Sequence, residues 1–175
     1  MKAMTADDKM PPVRQALPQD TKIVADILME AARWLEQSGM PMWQNDELSA
    51  PSIAAEVDAG LFFVAECEGE LAGTVKFQLE DLLFWPDVPQ EQSAFIHRLA
   101  VRRRFAGGHI SSALLEWAVL RTRSLGRCFL RLDCEASRPR LRAVYEHFGF
   151  RHHSDRQVGP YYVSRYEYDV TKHVT

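Results

Sequence analysis

The sequence predicts an α/β (α+β) fold in which a mixed, mostly antiparallel central sheet of about six or seven strands carries helices on both faces. Three observations predict it. Several short β-suited runs occur early, a strand–helix–strand unit follows them, and amphipathic stretches at helical spacing lie on either side. The chain has 175 residues, 46% hydrophobic and 26% charged, which is enough apolar material for one sizeable core. One domain is expected over residues 13–175, behind a flexible tail at 1–12 that is polar and ends in Pro-Pro.

Val13–Leu17 reads as a short strand. Asp20 or Thr21 then caps a helix whose apolar positions Ile23, Ile27, Ala31 and Trp34 recur every three or four residues, and Gly39 and Pro41 stop it. Met40–Pro51 shows no period and is expected to be a loop. Ser52–Ala59 is a second short helix, ended by Gly60. Leu61–Cys67 and Leu71–Gln78 form a hairpin around Glu68-Gly69-Glu70, and acidic Glu80–Ser93 is a longer connection. Ala94–Val101 is a strand, and Ile110–Leu125 is a helix with Ile110, Ala113, Leu114, Trp117 and Ala118 on one face and Gly126 as its stop. Cys128–Cys134 is the next strand. Pro139 opens a helix that Gly149 closes after Phe148, a short strand fits Phe150–His153, and Val163–Val170 is the final strand.

The formal net charge of -3 provides no broad basic field, which argues against nucleic acid as the main ligand. A small cationic amine is compatible with that balance. Cys67, Cys128 and Cys134 are widely spaced and contain no C-x-x-C pair, so free thiols in a reducing cytosol are expected rather than a zinc site or disulfide framework. The N-terminal residues lack the apolar run of a signal peptide. No stretch approaches the roughly 18 apolar residues of a membrane helix. The expected protein is soluble and cytoplasmic, without membrane contact.

The segment Phe95–Leu115 carries the chemistry. A buried strand runs into two adjacent glycines, Gly107 and Gly108, and these open directly into an amphipathic helix. The first amides of a helix have no internal acceptor and its dipole favours negative charge, so such a start binds phosphate when the backbone can come close. Arg102, Arg103 and Arg104 lie on the approach and can pair with further phosphates. A glycine pair before a helix is by itself more often a structural turn, and neither the Walker nor the dinucleotide fingerprint is present.

The run resembles the pyrophosphate-binding motif of the GNAT acetyltransferase superfamily, with Leu99-Ala100-Val101 and Ala113-Leu114-Leu115 at matching spacing. Leu130–Cys134 resembles the family's later strand, and Pro139–Phe150 resembles its Tyr-Glu-x-x-Gly-Phe helix. The order of elements from Val13 to Val170 agrees as well. The sequence departs from the motif at Ala106, where the family has Arg or Gln, at His109 in place of the first glycine, and at Ser111 in place of the last small residue. Arg138 stands where relatives often carry Asn before the proline, leaving Ser137 as the alternative cap.

The resemblance implies an N-acetyltransferase that moves an acetyl group from acetyl-CoA, its co-substrate, to a primary amine of a small molecule or peptide by direct attack. Implied cofactor contacts are Leu99, Ala100, Val101, Arg103, Arg104, Ala106, Gly107, Gly108, His109, Ile110, Ser111, Ser112, Arg138, Leu141 and Tyr145. In the family the strand ending at Val101 splays from the next one and frees its amides. Tyr145 is the implied general acid, since a phenol stays protonated at neutral pH. His97 is a candidate base, with Glu66, Glu80, Asp133 and a water chain as rivals. Trp34, Trp43, Asp133, Tyr161 and Tyr162 are candidates for the acceptor site. His152-His153 lacks further spaced ligands, so no metal is expected. Two other readings stay open: a binding or regulatory module with weak or lost acyl-CoA affinity, and acetylation of protein N-termini. The assembly state is open too, with a homodimer among the options.

Overall fold

Apolar periodicity decides where the helices and most of the strands fall. The computed structural model describes residues 10–40, 43 and 47–172. Their elements are β1 (Val13–Gln15), α1 (Thr21–Gln37), α2 (Ala50–Asp58), β2 (Phe62–Cys67), β3 (Glu70–Gln78), β4 (Ser93–Val101), α3 (Ile110–Ser124), β5 (Phe129–Glu135), α4 (Pro139–Phe148), β6 (Arg151–Val158) and β7 (Tyr161–Asp169). The seven strands form one mixed sheet in the order β1-β2-β3-β4-β5-β7-β6. β4 and β5 are a parallel pair, while β1–β2, β2–β3, β5–β7 and β6–β7 pair antiparallel. This is the expected fold class and element order. The expected tail lies outside the described residues as far as Lys9, and Pro12 is already tied down, its carbonyl accepting from the Glu66 amide at 3.0 Å.

Several boundaries differ from expectation. The short strand expected at Phe150–His153 is the eight-residue β6, and β7 begins at Tyr161 rather than Val163. β6 is an edge strand made by backbone pairing, and its exposed polar side chains carry no hydrophobic alternation. On α1 the buried face is Val24, Ala25, Ile27 and Leu28, while Ile23 and Trp34 are more than a third exposed. Asp20 does not cap α1 with its side chain. Its carboxylate takes Nη1 of Arg14 at 2.7 Å and the Leu17 amide at 2.7 Å. The Arg14 hydrogen bond and the Leu17 amide outweigh burial and hold this carboxyl below its usual range. α2 starts at Ala50, two residues early, because Pro51 suits a first turn.

The chain forms two compact units. The first holds residues up to Lys76 together with Arg98–Leu115, and the second holds Phe77–His97 and Glu116 onward. Along the chain, β3, β4 and α3 each pass from one unit into the other.

In the first unit, Val24, Ile27 and Leu28 of α1 and Ile53 and Val57 of α2 form one core with Phe62, Val64, Leu71 and Ala100. Gly73 of β3 brings α3 close. A Cβ at this position would stand 2.6 Å from Cγ2 of Ile110, 3.0 Å from the Ala100 carbonyl and 3.2 Å from Cδ1 of Leu114. The first turn of α3 therefore rests on bare backbone, which fixes where its free amides point. In the second unit, Trp85, Phe95, Leu130, Leu132, Tyr145, Phe150 and Tyr166 are buried. Tyr145 meets Phe150 and Tyr166 at ring-centroid distances of 6.0 and 6.4 Å.

Gly73→Ala should lower the unfolding free energy by about 1–3 kcal/mol in urea titration, through overpacking against Ile110. Ile110→Ala in that background should return part of the loss, because it removes the nearest clashing methyl. Wild-type stability for Gly73→Ala would show that the contact is not limiting.

Candidate active site

In the first unit, the backbone of residues 98–113 builds a row of donors. Arg98 sits in β4 at φ +51°, a left-handed conformation that a non-glycine residue adopts at a cost of about 1–3 kcal/mol. Its guanidinium is anchored on Glu56 Oε1 at 3.2 Å, and Glu56 is also paired with Lys76. The break in β4 falls just before Leu99, Ala100 and Val101, three residues after the Phe95↔Arg131 pair that ends the register between β4 and β5. Beyond Val101, the Arg102 amide bonds the Ala72 carbonyl at 2.8 Å, and a 3₁₀ turn over Arg103–Phe105 leads to the glycines.

Gly107 holds φ +80°. His109 is not among the positive-φ residues, so the histidine escapes the strain that this turn imposes. At Gly108 a Cβ would come within 3.2 Å of the Phe105 carbonyl. The first α3 amide with a helical acceptor is that of Ala113, bonded to the His109 carbonyl at 2.9 Å. Among the described residues, the amides of His109, Ile110, Ser111 and Ser112 have no backbone acceptor. Together with the end dipole these donors suit a pyrophosphate without help from side chains, as the chemistry of the donor set requires. Ala106 and His109, two of the departures from the motif, are both exposed here.

The arginines beside this loop are already engaged. The Arg103 guanidinium lies 3.9 Å over the Trp34 ring, and Arg104 pairs with Glu68 at 3.4 Å and Glu70 at 3.3 Å. Trp34 is thus a platform for Arg103. Trp43 packs on the core of the first unit, and Glu66 pairs with Arg14 at 3.3 Å.

In the second unit, titratable groups converge. His97 Nε2 lies 2.8 Å from Asp81 Oδ2, and its Nδ1 lies 3.7 Å from Asp133 Oδ1. Asp81 is buried, and its other oxygen takes the Phe84 amide at 3.0 Å. Burial opposes its charge, yet the His97 hydrogen bond, the His97 charge and the Phe84 and Leu83 amides prevail and hold the carboxyl below its usual range.

Asp133 faces the opposite balance. Its side chain is 10% exposed and Oδ1 has no hydrogen-bond partner. Burial, with a contribution from the Asp81 charge, pushes the carboxyl up to about 6, against the opposing pull of His97 and Arg165. Arg165 is its cross-strand neighbour, but that guanidinium is committed to Asp87 at 2.6 and 3.0 Å, to Ser154 Oγ at 2.9 Å and to the Phe84 carbonyl at 3.1 Å. Ligand atoms of Asp81, His97 and Asp133 all lie within 4.8 Å of one another, which is cation-sized spacing. However, His97 Nε2 is already taken by its hydrogen bond to Asp81.

Tyr145 of α4 is buried, and burial, with the neighbouring Cys134 and Asp133, raises its phenol well above the usual value. It is therefore held protonated. Burial and the Asp133 charge push the Cys134 thiol up to about 12, so it is no nucleophile.

The model of the acetyltransferase (GNAT) family matches residues 24–150. The chain belongs to the GNAT acetyltransferase family. It is 30% identical over 141 residues to the uncharacterized N-acetyltransferase YesJ of Bacillus subtilis, covering 77% of this chain and 78% of that protein. A GNAT-family acetyltransferase structure from Listeria monocytogenes superposes with a TM-score of 0.76 at 26% identity, over 91% of this chain and 94% of that one. The yncA structure from Salmonella typhimurium, determined with its cofactor acetyl-CoA, gives a TM-score of 0.70 at 14% identity, over 94% and 96%. The chain is thus an acyltransferase, and its described residues contain no helix long and apolar enough to cross a membrane.

The other GNAT-motif positions fall as follows. Arg138 occupies the position before α4 without capping it, and its Nε bonds Glu135 at 2.6 Å. Leu141 is half-buried in the first turn of that helix, while Glu80, Tyr161 and Tyr162 are exposed. Asp81 went unnoticed in the sequence because it lies in a connection without periodicity. Its one signal was an acidic residue on the approach to a strand bearing a histidine.

Asp133→Asn should raise the unfolding free energy at pH 8 by about 2–3 kcal/mol. A carboxyl raised in the folded state costs nothing below its unfolded value and its full amount above the folded one, so the gain should fade as pH drops from about 6 to about 4. Urea unfolding across that window checks it, and a pH-independent gain would contradict the raised carboxyl.

Proposed function

We propose that this chain transfers an acetyl group from acetyl-CoA to the primary amine of a small molecule or peptide by direct attack. The observation that carries the reading is the row of unaccepted amides from His109 to Ser112 behind Gly107 and Gly108, a backbone site suited to pyrophosphate. The acetyl-CoA bound to yncA supports the same co-substrate. Around that row, Arg103, Arg104, Ala106, Ile110, Arg138 and Leu141 are the proposed flanking contacts. The backbone of Leu99–Val101 would receive the amide arm and the thioester oxygen. The catalytic domain is proposed to run over residues 13–175, in the cytoplasm.

In the proposed step, the amine nitrogen attacks the thioester carbonyl carbon and the amine's proton passes to His97. The C–N bond forms, the tetrahedral oxyanion collapses, and the C–S bond breaks. Tyr145, held protonated by burial, gives its proton to the departing thiolate and takes one back from the His97 imidazolium through solvent, so both groups return to their starting states and the products are an amide and free coenzyme A. The high value of the Cys134 thiol argues against an acetyl-cysteine intermediate. A cationic acceptor suits the carboxylates of Asp81 and Asp133, and the exposed rings of Tyr161 and Tyr162 are the aromatic surface proposed for its remainder.

Calorimetric titration with acetyl-CoA should show saturable binding, and no binding at about millimolar cofactor would overturn the reading. Tyr145→Phe should lower kcat about 100-fold while leaving the KM for acetyl-CoA near wild type. Unchanged turnover would remove Tyr145 from the acid role.

A further inference from the structure

We infer that Asp81 is a positioning residue for this reaction: its buried carboxylate holds His97 in the tautomer protonated on Nε2, leaving the lone pair on Nδ1 to take the acceptor's proton. The inference rests on the reading of His97 as the base.

Asp81 is held in place by its neighbours. Its side chain is 4% exposed, its Oδ1 accepts the Phe84 amide at 3.0 Å, and its own amide donates to Gln90 Oε1 at 2.7 Å. Gln90 is held in turn, its Nε2 donating to the Trp85 carbonyl at 2.7 Å. The carboxylate can therefore neither swing away nor hydrate freely. An ionised carboxylate only accepts hydrogen bonds, so the nitrogen 2.8 Å from Oδ2 must carry the hydrogen. In the neutral ring the lone pair then sits on Nδ1. That nitrogen faces Asp133 Oδ1 across 3.7 Å, too far for a hydrogen bond to occupy it.

Once Nδ1 takes a proton, the imidazolium stands between Asp81 Oδ2 at 2.8 Å and Asp133 Oδ1 at 3.7 Å. The groups bearing on this set are Asp81 from the β3–β4 connection, Asp133 and Cys134 from β5, Tyr145 from α4 and Arg165 from β7. Of these, Arg165 opposes the imidazolium, but its charge is largely directed to Asp87. The Phe84 ring lies 6.0 Å from the His97 ring, tilted at 43° to it.

Three variants and one spectrum test this. Asp81→Asn should lower kcat about 10- to 100-fold and leave the KM for acetyl-CoA within about twofold. Asp81→Glu should recover part of the rate. In nitrogen NMR of the wild-type protein, neutral His97 should show a protonated Nε2 and an unprotonated Nδ1. The opposite tautomer would overturn the proposal even if Asp81→Asn fails to fold. His97→Gln distinguishes the role of the base from that of Asp81. Wild-type activity in His97→Gln would overturn the base reading itself. An inactive His97→Gln beside an Asp81→Asn with wild-type rate would overturn the role of Asp81 alone.

Discussion

Burying an ionisable group costs several kcal/mol unless something compensates it, and the second unit buries several around one histidine. Its local arrangement follows from how that cost is met. Asp81 is compensated by His97 and an amide, and Arg165 by Asp87 and a carbonyl. Asp133 is the exception, because its cross-strand neighbour Arg165 is committed elsewhere. An acid in that position is poised to change protonation near neutral pH, which is where proton transfer from an amine has to operate. The fully buried Trp85 has Arg131 and Arg165 over its ring at 5.1 and 4.5 Å.

The first unit meets a different constraint with different means. A pyrophosphate site needs backbone donors that nothing else satisfies, and such donors must be held firmly to be effective. Gly73 lets α3 settle on β3, Gly107 absorbs the left-handed turn, and Arg98 holds the break in β4 through Glu56. Because backbone does this work, the loss of the motif's polar side chain at Ala106 and of its glycine at His109 leaves the donor row intact.

Much of this was legible in the sequence because it depends on periodicity and on local rules. The helix faces, the strand–glycine–helix run and the Tyr145 helix all announce themselves within about twenty residues. What stayed hidden depends on tertiary pairing. β6 is made by backbone bonding at a sheet edge, so its polar side chains gave little sign of a strand. Gly73 reads as an ordinary strand residue until Ile110 is brought against it from far along the chain. Asp81 and Asp133 are 52 positions apart, and no spacing rule joins them to His97. That Arg103 lies over the Trp34 ring is equally invisible in the sequence, because the two residues are 69 positions apart.

The central claim is direct transfer to an amine, with proton handling in the second unit and no covalent acetyl-enzyme. The most direct measurement incubates the protein with acetyl-CoA, with and without a panel of primary amines and peptides, following free thiol and intact protein mass together. The account predicts that thiol appears in step with an acetylated amine and that the protein mass stays unchanged. A protein that gains one acetyl group before any amine is added, or thiol release that no amine or peptide accelerates, would contradict it.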